Sequence, residues 1–327
     1  MPQNYYINKI DFYLPKSIEK NTNVLKFAKR KKHEVNNIIN KIGIKERRIA
    51  NKNEFTNDLA IKSALKLFKK FKKNEIDYVI LCTNTPDYLL PSNACLIQSR
   101  LKLSKNIGAF DIILACSGYL YSLGVAKGLL ATKQANKILL ITSDTYSKFI
   151  PYKDSKNRVL FGDGSTASLI SCKKTKNSFR ILSFANGTDG KGYKNAFIDN
   201  FGNRNLKSRN SKGDSLQLDG PGLYNFALSY IPNEIFSYLS KNKLSLKKID
   251  YFVFHQANKF MLDGLKNKLK IKSEKVIIDM TKTGNTTSSS IPIILSKYCK
   301  RIPKGSKVLS VAFGGGLSWA INLLIKQ

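Results

Sequence analysis

Ile76-Asp77-Tyr78-Val79-Ile80-Leu81 is echoed about half a chain later by Ile249-Asp250-Tyr251-Phe252-Val253-Phe254. Each run follows a basic segment and stops at polar residues, Cys82-Thr83-Asn84-Thr85 in the first and His255-Gln256-Ala257-Asn258 in the second. Apolar runs this short and continuous read as strands buried on both faces. A second pair, Lys137-Ile138-Leu139-Leu140-Ile141 and Lys307-Val308-Leu309-Ser310-Val311, stands at nearly the same offset. The two echoes predict duplicated α/β halves, each a mostly parallel sheet covered by helices. The expected division gives an N-terminal half over residues 1–175 and a C-terminal half over 176–327, because a strand over 166–170 runs into polar residues there. Apolar residues at helical spacing predict helices over 59–71 and 223–239, with Pro232 bending, breaking or restarting the second. Residues 186–214, rich in Gly, Asn, Lys and Arg, read as a long loop or irregular insertion.

Composition narrows the functional classes. The 327 residues can bury a substantial interior without staples. Cys82, Cys95, Cys116, Cys172 and Cys299 are scattered and odd in number, which disfavours a disulfide framework and points to a reducing cytoplasm. Neither a signal peptide nor a membrane anchor is expected, since no apolar run reaches bilayer-spanning length. A formal net charge of +34 invites a nucleic-acid reading. The lysines are spread along the chain, however, without zinc-finger spacing or an arginine-rich arm, so no specific nucleic acid is expected and an acidic carrier protein is the better partner. Basic runs at 29–32 and 69–73 read as solvated helix ends.

Three small-residue corners could carry chemistry. An apolar run, Gly108-Ala109-Phe110-Asp111-Ile112-Ile113-Leu114-Ala115, leads to Cys116-Ser117-Gly118 and then to a helical pattern. A cysteine at a strand-to-helix corner suits two roles: a nucleophile beside unpaired N–H groups, or an inert packed side chain. Of two histidines, His33 lies in a charged segment, whereas His255 ends an apolar strand, where sheet enzymes place functional groups. Asn285, after Gly284, either caps the helix that follows or offers a neutral amide to a ligand. Phe313-Gly314-Gly315-Gly316 can turn backbone N–H groups toward a ligand, but it lacks the lysine of a nucleotide loop. Phe161-Gly162-Asp163-Gly164 supplies too few carboxylates for a metal and reads as a structural turn.

Further landmarks are Gly43-Ile44-Lys45-Glu46-Arg47-Arg48 and Thr85-Pro86-Asp87-Tyr88-Leu89-Leu90-Pro91-Ser92. With the Cys116, Phe161, His255, Gly284-Asn285-Thr286 and terminal glycine motifs, in this order over nearly the whole chain, the sequence resembles the beta-ketoacyl-acyl-carrier-protein synthase III family of the thiolase superfamily. The resemblance implies an α/β, thiolase-like, duplicated and layered α-β-α-β-α architecture and a homodimer. It implies no tightly bound cofactor and no metal, with pantetheine-linked acyl thioesters as substrates, on acyl-carrier protein or coenzyme A. It gives Cys116, His255 and Asn285 the catalytic roles, and the backbone N–H groups of Cys116 and Gly315 the oxyanion hole. Phe313 would form an aromatic wall, Asp87, Tyr88, Leu89 and Leu90 would lie near the dimer and substrate tunnel, and Lys259, Lys266 and Lys268 would attract an acidic carrier. The family's adenine-holding tryptophan and arginine are matched here by Asn37 and Ser155, and a further arginine by Lys41. Losing that stacking platform weakens the case for coenzyme A and makes a carrier-bound donor credible.

The leading expectation is decarboxylative condensation of an acyl thioester with malonyl-acyl-carrier protein, through acyl-Cys116, to a 3-oxoacyl thioester. Acyl transfer to a hydroxyl or amine in specialised biosynthesis is the alternative. An inactive carrier- or nucleic-acid-binding protein is the third, which the complete Cys116, His255 and Asn285 set argues against.

Overall fold

The computed structural model describes residues 3–199 and 215–327. Its main sheet comprises β1 (Tyr5–Tyr13), β2 (Tyr78–Cys82), β3 (Gly108–Ile112), β4 (Lys137–Asp144), β5 (Gly164–Ser171), β6 (Phe179–Thr188), β7 (Tyr251–Phe254), β8 (Lys307–Gly314) and β9 (Ser318–Lys326). The strand order is β7-β8-β9-β6-β1-β5-β4-β2-β3. Outward from the β1·β6 junction, one half runs β1-β5-β4-β2-β3 and the other β6-β9-β8-β7. A parallel bridge from Val276 to Phe252 stands where the second half would repeat β3.

The echoed strings have a bonding reason. Asp77 N–H donates to the Lys137 carbonyl at 2.9 Å, and its carboxylate accepts from the N–H groups of Asn136 at 2.6 Å and Lys137 at 2.9 Å. Asp250 repeats this with Lys307, donating to its carbonyl at 3.0 Å and accepting from its N–H at 2.8 Å. Each aspartate thereby sets the register of the parallel pair above it, Tyr78 beside Ile138 and Tyr251 beside Val308. The two echoes are the two ends of one repeated lock.

Helices α1 (Thr56–Phe68), α2 (Asn93–Arg100), α3 (Gly118–Ala131), α4 (Ile231–Lys241), α5 (Lys259–Lys268) and α6 (Ser290–Tyr298) make three layers. Alternate residues of β2 and β4, Val79, Leu81, Leu139 and Ile141, pack against Ala60, Ala64 and Leu67 of α1 and Ile97 of α2. Ile80, Ile138 and Leu140 point the other way, into a central layer with Leu120 and Leu123 of α3 and Ile291 and Ile294 of α6. Val253 and Val308 enter that same layer from the second half, while Phe252, Phe254, Leu309 and Val311 face α4 and α5. Both faces of these strands are buried, which is why their sequences are continuous apolar runs.

Several expectations need correction. The sheet is mixed: β2·β3, β2·β4 and β7·β8 are parallel, but β4·β5, β5·β1, β1·β6, β6·β9 and β9·β8 are antiparallel. The turn from β8 to β9 is too short for a crossover, so that pair must be antiparallel. The helix expected over 59–71 begins at Thr56, because the Asp58 carboxylate accepts from Phe55 N–H at 2.9 Å and fastens the first turn. Pro232 sits in the first turn of α4, preceded by a wide π turn at Phe226–Tyr230 that follows the helix Gly220–Asn225. A missing N–H and a ring that clashes with the preceding turn account for that widening. In the expected loop over 186–214, residues 186–188 belong to β6 and Gly190–Asn195 form a 3-10 helix, while 200–214 lie outside the described residues.

Asp77→Ala leaves two strand-start N–H groups without their acceptor and should lower stability by about 1–3 kcal/mol, read from urea unfolding. Asp250→Ala should act in the same direction by a smaller amount, since it frees one N–H.

Candidate active site

The ends of β3, β7 and β8 meet the two central helices at one cavity of about 680 Å³. Cys116, His255, Asn285, Phe313 and Gly315 all line it. Cys116 lies in the corner between β3 and α3, His255 directly follows β7, and Asn285 sits in the turn before α6. Gly314 is what lets β8 close on that corner: a Cβ there would stand 2.7 Å from Cys116 Cβ and 2.9 Å from its sulfur. Gly118 does the same from below, where a Cβ would meet Cys82 Sγ at 2.3 Å.

Asn285 is held on three sides. Its N–H donates to the Leu160 carbonyl at 2.8 Å, its own carbonyl accepts from Gly162 N–H at 3.0 Å, and its Oδ1 accepts from Thr287 N–H at 2.9 Å. The amide NH₂ is left for the cavity. His255 N–H donates to the Val311 carbonyl at 2.8 Å, fixing the residue to β8. Its Nδ1 shares a 2.8 Å hydrogen bond with Ser290 Oγ, which also accepts from Gln256 N–H at 3.3 Å. The Phe313 ring packs edge-on against the imidazole at 6.2 Å.

Burial keeps the His255 imidazole and the Cys116 thiol neutral. Burial pushes His255 down to about 3, with a backbone bond at Thr287 opposing. Burial pushes the Cys116 thiol up to about 12, the negative field of Asp144 adds to that, and its own backbone N–H opposes. Cys116 is nonetheless half-buried, open toward the cavity, and the N-terminus of the 14-residue α3 beside it favours a thiolate once charge develops.

Other expected positions fall elsewhere. Asp87, Tyr88, Leu89 and Leu90 do not line the cavity of this chain; Asp87 accepts from Asn57 N–H, and the three that follow are exposed. Lys259 and Lys266 both pair with Asp263, so their charge is partly compensated within α5, while Lys268 is exposed in its last turn. Asn37 is exposed and off the cavity, whereas Ser155 and Lys41 line it, Lys41 Nζ lying 4.5 Å from the Phe260 ring centroid. Asp163 is structural, accepting from Ala50 N–H at 2.7 Å and Ser147 N–H at 3.0 Å. No sequence signal singled out Asp144, Tyr146 or the Ser290 hydroxyl that meets the imidazole. Among the described residues no group of three or more His, Cys, Asp or Glu could hold a metal ion, and no helix is long and apolar enough to cross a membrane.

Sequence models of 3-oxoacyl-[acyl-carrier-protein (ACP)] synthase III and of its C-terminal region match residues 110–190 and 239–325. A beta-ketoacyl-[acyl-carrier-protein] synthase III of Campylobacter jejuni subsp. doylei is 34% identical over 97% of this chain and 96% of that protein. The chain belongs to the beta-ketoacyl-[acyl-carrier-protein] synthase III family. Another synthase III relative, from Clostridioides difficile, is 37% identical over 88% of each chain. A 2.1 Å crystal structure of a 3-oxoacyl-(acyl-carrier-protein) synthase III matches with a TM-score of 0.92 at 36% identity, covering 99% of this chain and 100% of its own. The Thermus thermophilus synthase III matches at 0.87 and 32% identity over 98% of each chain. Membership in the synthase III family makes this chain an acyltransferase with the thiolase-like fold.

His255 gives a pH test of stability. Its folded pKa is depressed, so between about 6.5 and about 3 the unfolded chain takes up a proton that the native chain refuses. This histidine's contribution is therefore lost as pH falls. Relative to His255→Asn, the wild type should lose about 2–3 kcal/mol between pH 7 and pH 4.5 in urea unfolding.

Proposed function

We propose that this synthase III chain condenses an acyl thioester with malonyl-acyl-carrier protein to give a 3-oxoacyl thioester. In the first half-reaction Cys116 Sγ attacks the acyl carbonyl. A carbon–sulfur bond forms to Cys116, and the donor thiol leaves with the proton. The N–H groups of Cys116 and Gly315 stabilise the tetrahedral oxygen. In the second, the bond from malonyl carbon to carboxylate breaks and carbon dioxide leaves. The electron pair remains as an enolate whose oxygen is held by His255 and Asn285. The enolate carbon then attacks acyl-Cys116 and the sulfur leaves.

The observation that carries this reading is the placement of two neutral donors beside the nucleophile in one cavity. Asn285 has its acceptor edge occupied by Thr287 N–H and only its NH₂ to offer. His255 is kept neutral by burial, which suits a hydrogen-bond donor rather than a base. In this reading the Ser290 hydroxyl donates to Nδ1 and the imidazole carries its proton on Nε2. Pantetheine-linked thioesters, on acyl-carrier protein or coenzyme A, are the substrates. Arg30, Lys41 and Lys156 line the cavity and supply positive charge for an acidic carrier and its phosphate.

The same reading includes a homodimer. Leu90 and Ile113 are 87% and 73% exposed beside β3, the edge strand of the sheet. The Asp111 carboxylate of β3 accepts from Asn93 N–H at 2.6 Å and Ala94 N–H at 2.8 Å, tying the 87–93 segment to that edge. Exposed apolar side chains next to an open edge suit burial against a second copy. We place residues 87–90 at that contact.

Intact-protein mass spectrometry tests the chemistry. An acyl adduct on Cys116 should form with acyl donor and vanish on adding malonyl carrier, with carbon dioxide and a 3-oxoacyl product. His255→Ala and Asn285→Ala should retain the adduct but condense at least about a hundredfold more slowly. Transfer of the acyl group to a hydroxyl or amine, without any need for malonyl carrier, would overturn condensation. For the assembly, Leu90→Asp should shift the mass measured by light scattering from dimer toward monomer. An unchanged mass would remove residues 87–90 from the contact.

A further inference from the structure

Asp144, the last residue of β4, is buried beneath the cavity and forms no salt bridge among the described residues. Its carboxylate instead gathers five donors. Oδ1 accepts from Asn84 N–H at 2.9 Å, Thr83 Oγ1 at 3.2 Å and Thr85 Oγ1 at 3.2 Å. Oδ2 accepts from Ser288 Oγ at 3.1 Å and, more closely, from Thr287 Oγ1. One oxygen therefore grips the end of β2 in the first half. The other grips the turn that carries Asn285 in the second.

Thr287 makes that grip consequential. It stands at φ 49°, in the left-handed region that a β-branched residue avoids. From this conformation its N–H donates to Asn285 Oδ1 at 2.9 Å, the bond that turns the amide NH₂ toward the cavity. The side chain that anchors Thr287 there is bonded to Asp144.

We propose that Asp144 is a positioning residue, whose carboxylate clamps Thr287 and Ser288 so that the Asn285 amide points at the cavity, and whose uncompensated charge restrains the nucleophile. The inference rests on the roles given above to Cys116 and Asn285. The titratable groups that feel Asp144 are Cys82, Cys116 and Tyr146, and its negative charge opposes ionisation of all three. Gly118, packed on Cys82 Sγ and near Ser288, links this cluster to the Cys116 corner. Burial raises Asp144 itself to about 6, with the bonds from Thr287, Asn84, Ser288 and Thr83 opposing. Above that pH the carboxylate is ionised and the restraint is in force.

Alkylation of Cys116 by iodoacetamide, read on its peptide by mass spectrometry, needs no acyl substrate. Asp144→Asn keeps the shape, and the hydroxyls can rotate to meet an amide, but the charge is gone. Alkylation at pH 8.5 should rise at least about threefold, since removing a nearby negative charge favours the thiolate. An unchanged rate overturns the restraint. Asp144→Ala removes both charge and clamp: acyl loading should not fall, while carbon dioxide release from malonyl carrier by pre-acylated enzyme should fall at least about thirtyfold. Adding Thr287→Gly, which accepts a positive φ without an anchor, should recover at least about fivefold. Condensation at the wild-type rate by Asp144→Ala, or parallel loss of loading and condensation without rescue, overturns the clamp. Wild-type acyl-enzyme that releases no carbon dioxide would instead refute the condensation reading, and the alkylation comparison would still decide whether Asp144 acts on Cys116.

Discussion

The packing of α3 and α6 into one apolar layer between the two halves is the constraint on which the site depends. Leu120 and Leu123 of α3 and Ile291 and Ile294 of α6 share a single core with Ile80, Ile138, Val253 and Val308. Each helix must begin where its half's parallel strands end, so burying both in one layer brings both N-termini to one place. Cys116 precedes the first and Asn285 precedes the second. Their convergence follows from the location of the core and needs no separate explanation.

The electrostatics follow from the same burial. Burial disfavours charge on any group that lacks a partner, and here it keeps the imidazole and the thiol neutral. For a reaction in which negative charge appears first on an acyl oxygen and then on an enolate, neutral donors already in position are an advantage. They need not reorganise as charge develops. Asp144 is the exception, a carboxylate solvated by hydroxyls and one backbone N–H in place of water.

What could be read from the sequence was what repeats or ends abruptly. The strands of the echo, the corner at Cys116, the strand-end histidine and the Asn285 turn were legible because apolar runs and small residues leave local signals. Strand direction was not: β5 and β9 are buried almost throughout, as the parallel strands are, and only the short turn at 315–317 betrays an antiparallel pair. Asp144 was hidden because one acidic residue at a strand end says nothing of the hydroxyls that will meet it from the other half. Thr287 carried no signal at all, since a left-handed threonine is imposed by its partners. The sequence shows the charge of Lys259 and Lys266 but not that both share the Asp263 carboxylate one turn away. The 87–90 segment was expected near the dimer and substrate tunnel by likeness alone, and within a single chain it does not line the cavity.

The aspartate–lysine lock at the foot of each half has a consequence at the other end of the strands. Because Asp77 and Asp250 set the same register, the corner before α3 and the turn before α6 are the same point of the repeat, met twice. Two identical units placed face to face would be obliged to present the same side chain from both sides. A tandem copy within one chain lifts that obligation, so one corner can present a sulfur and its twin an amide, and opposite demands on a single location are divided between two genetically independent positions.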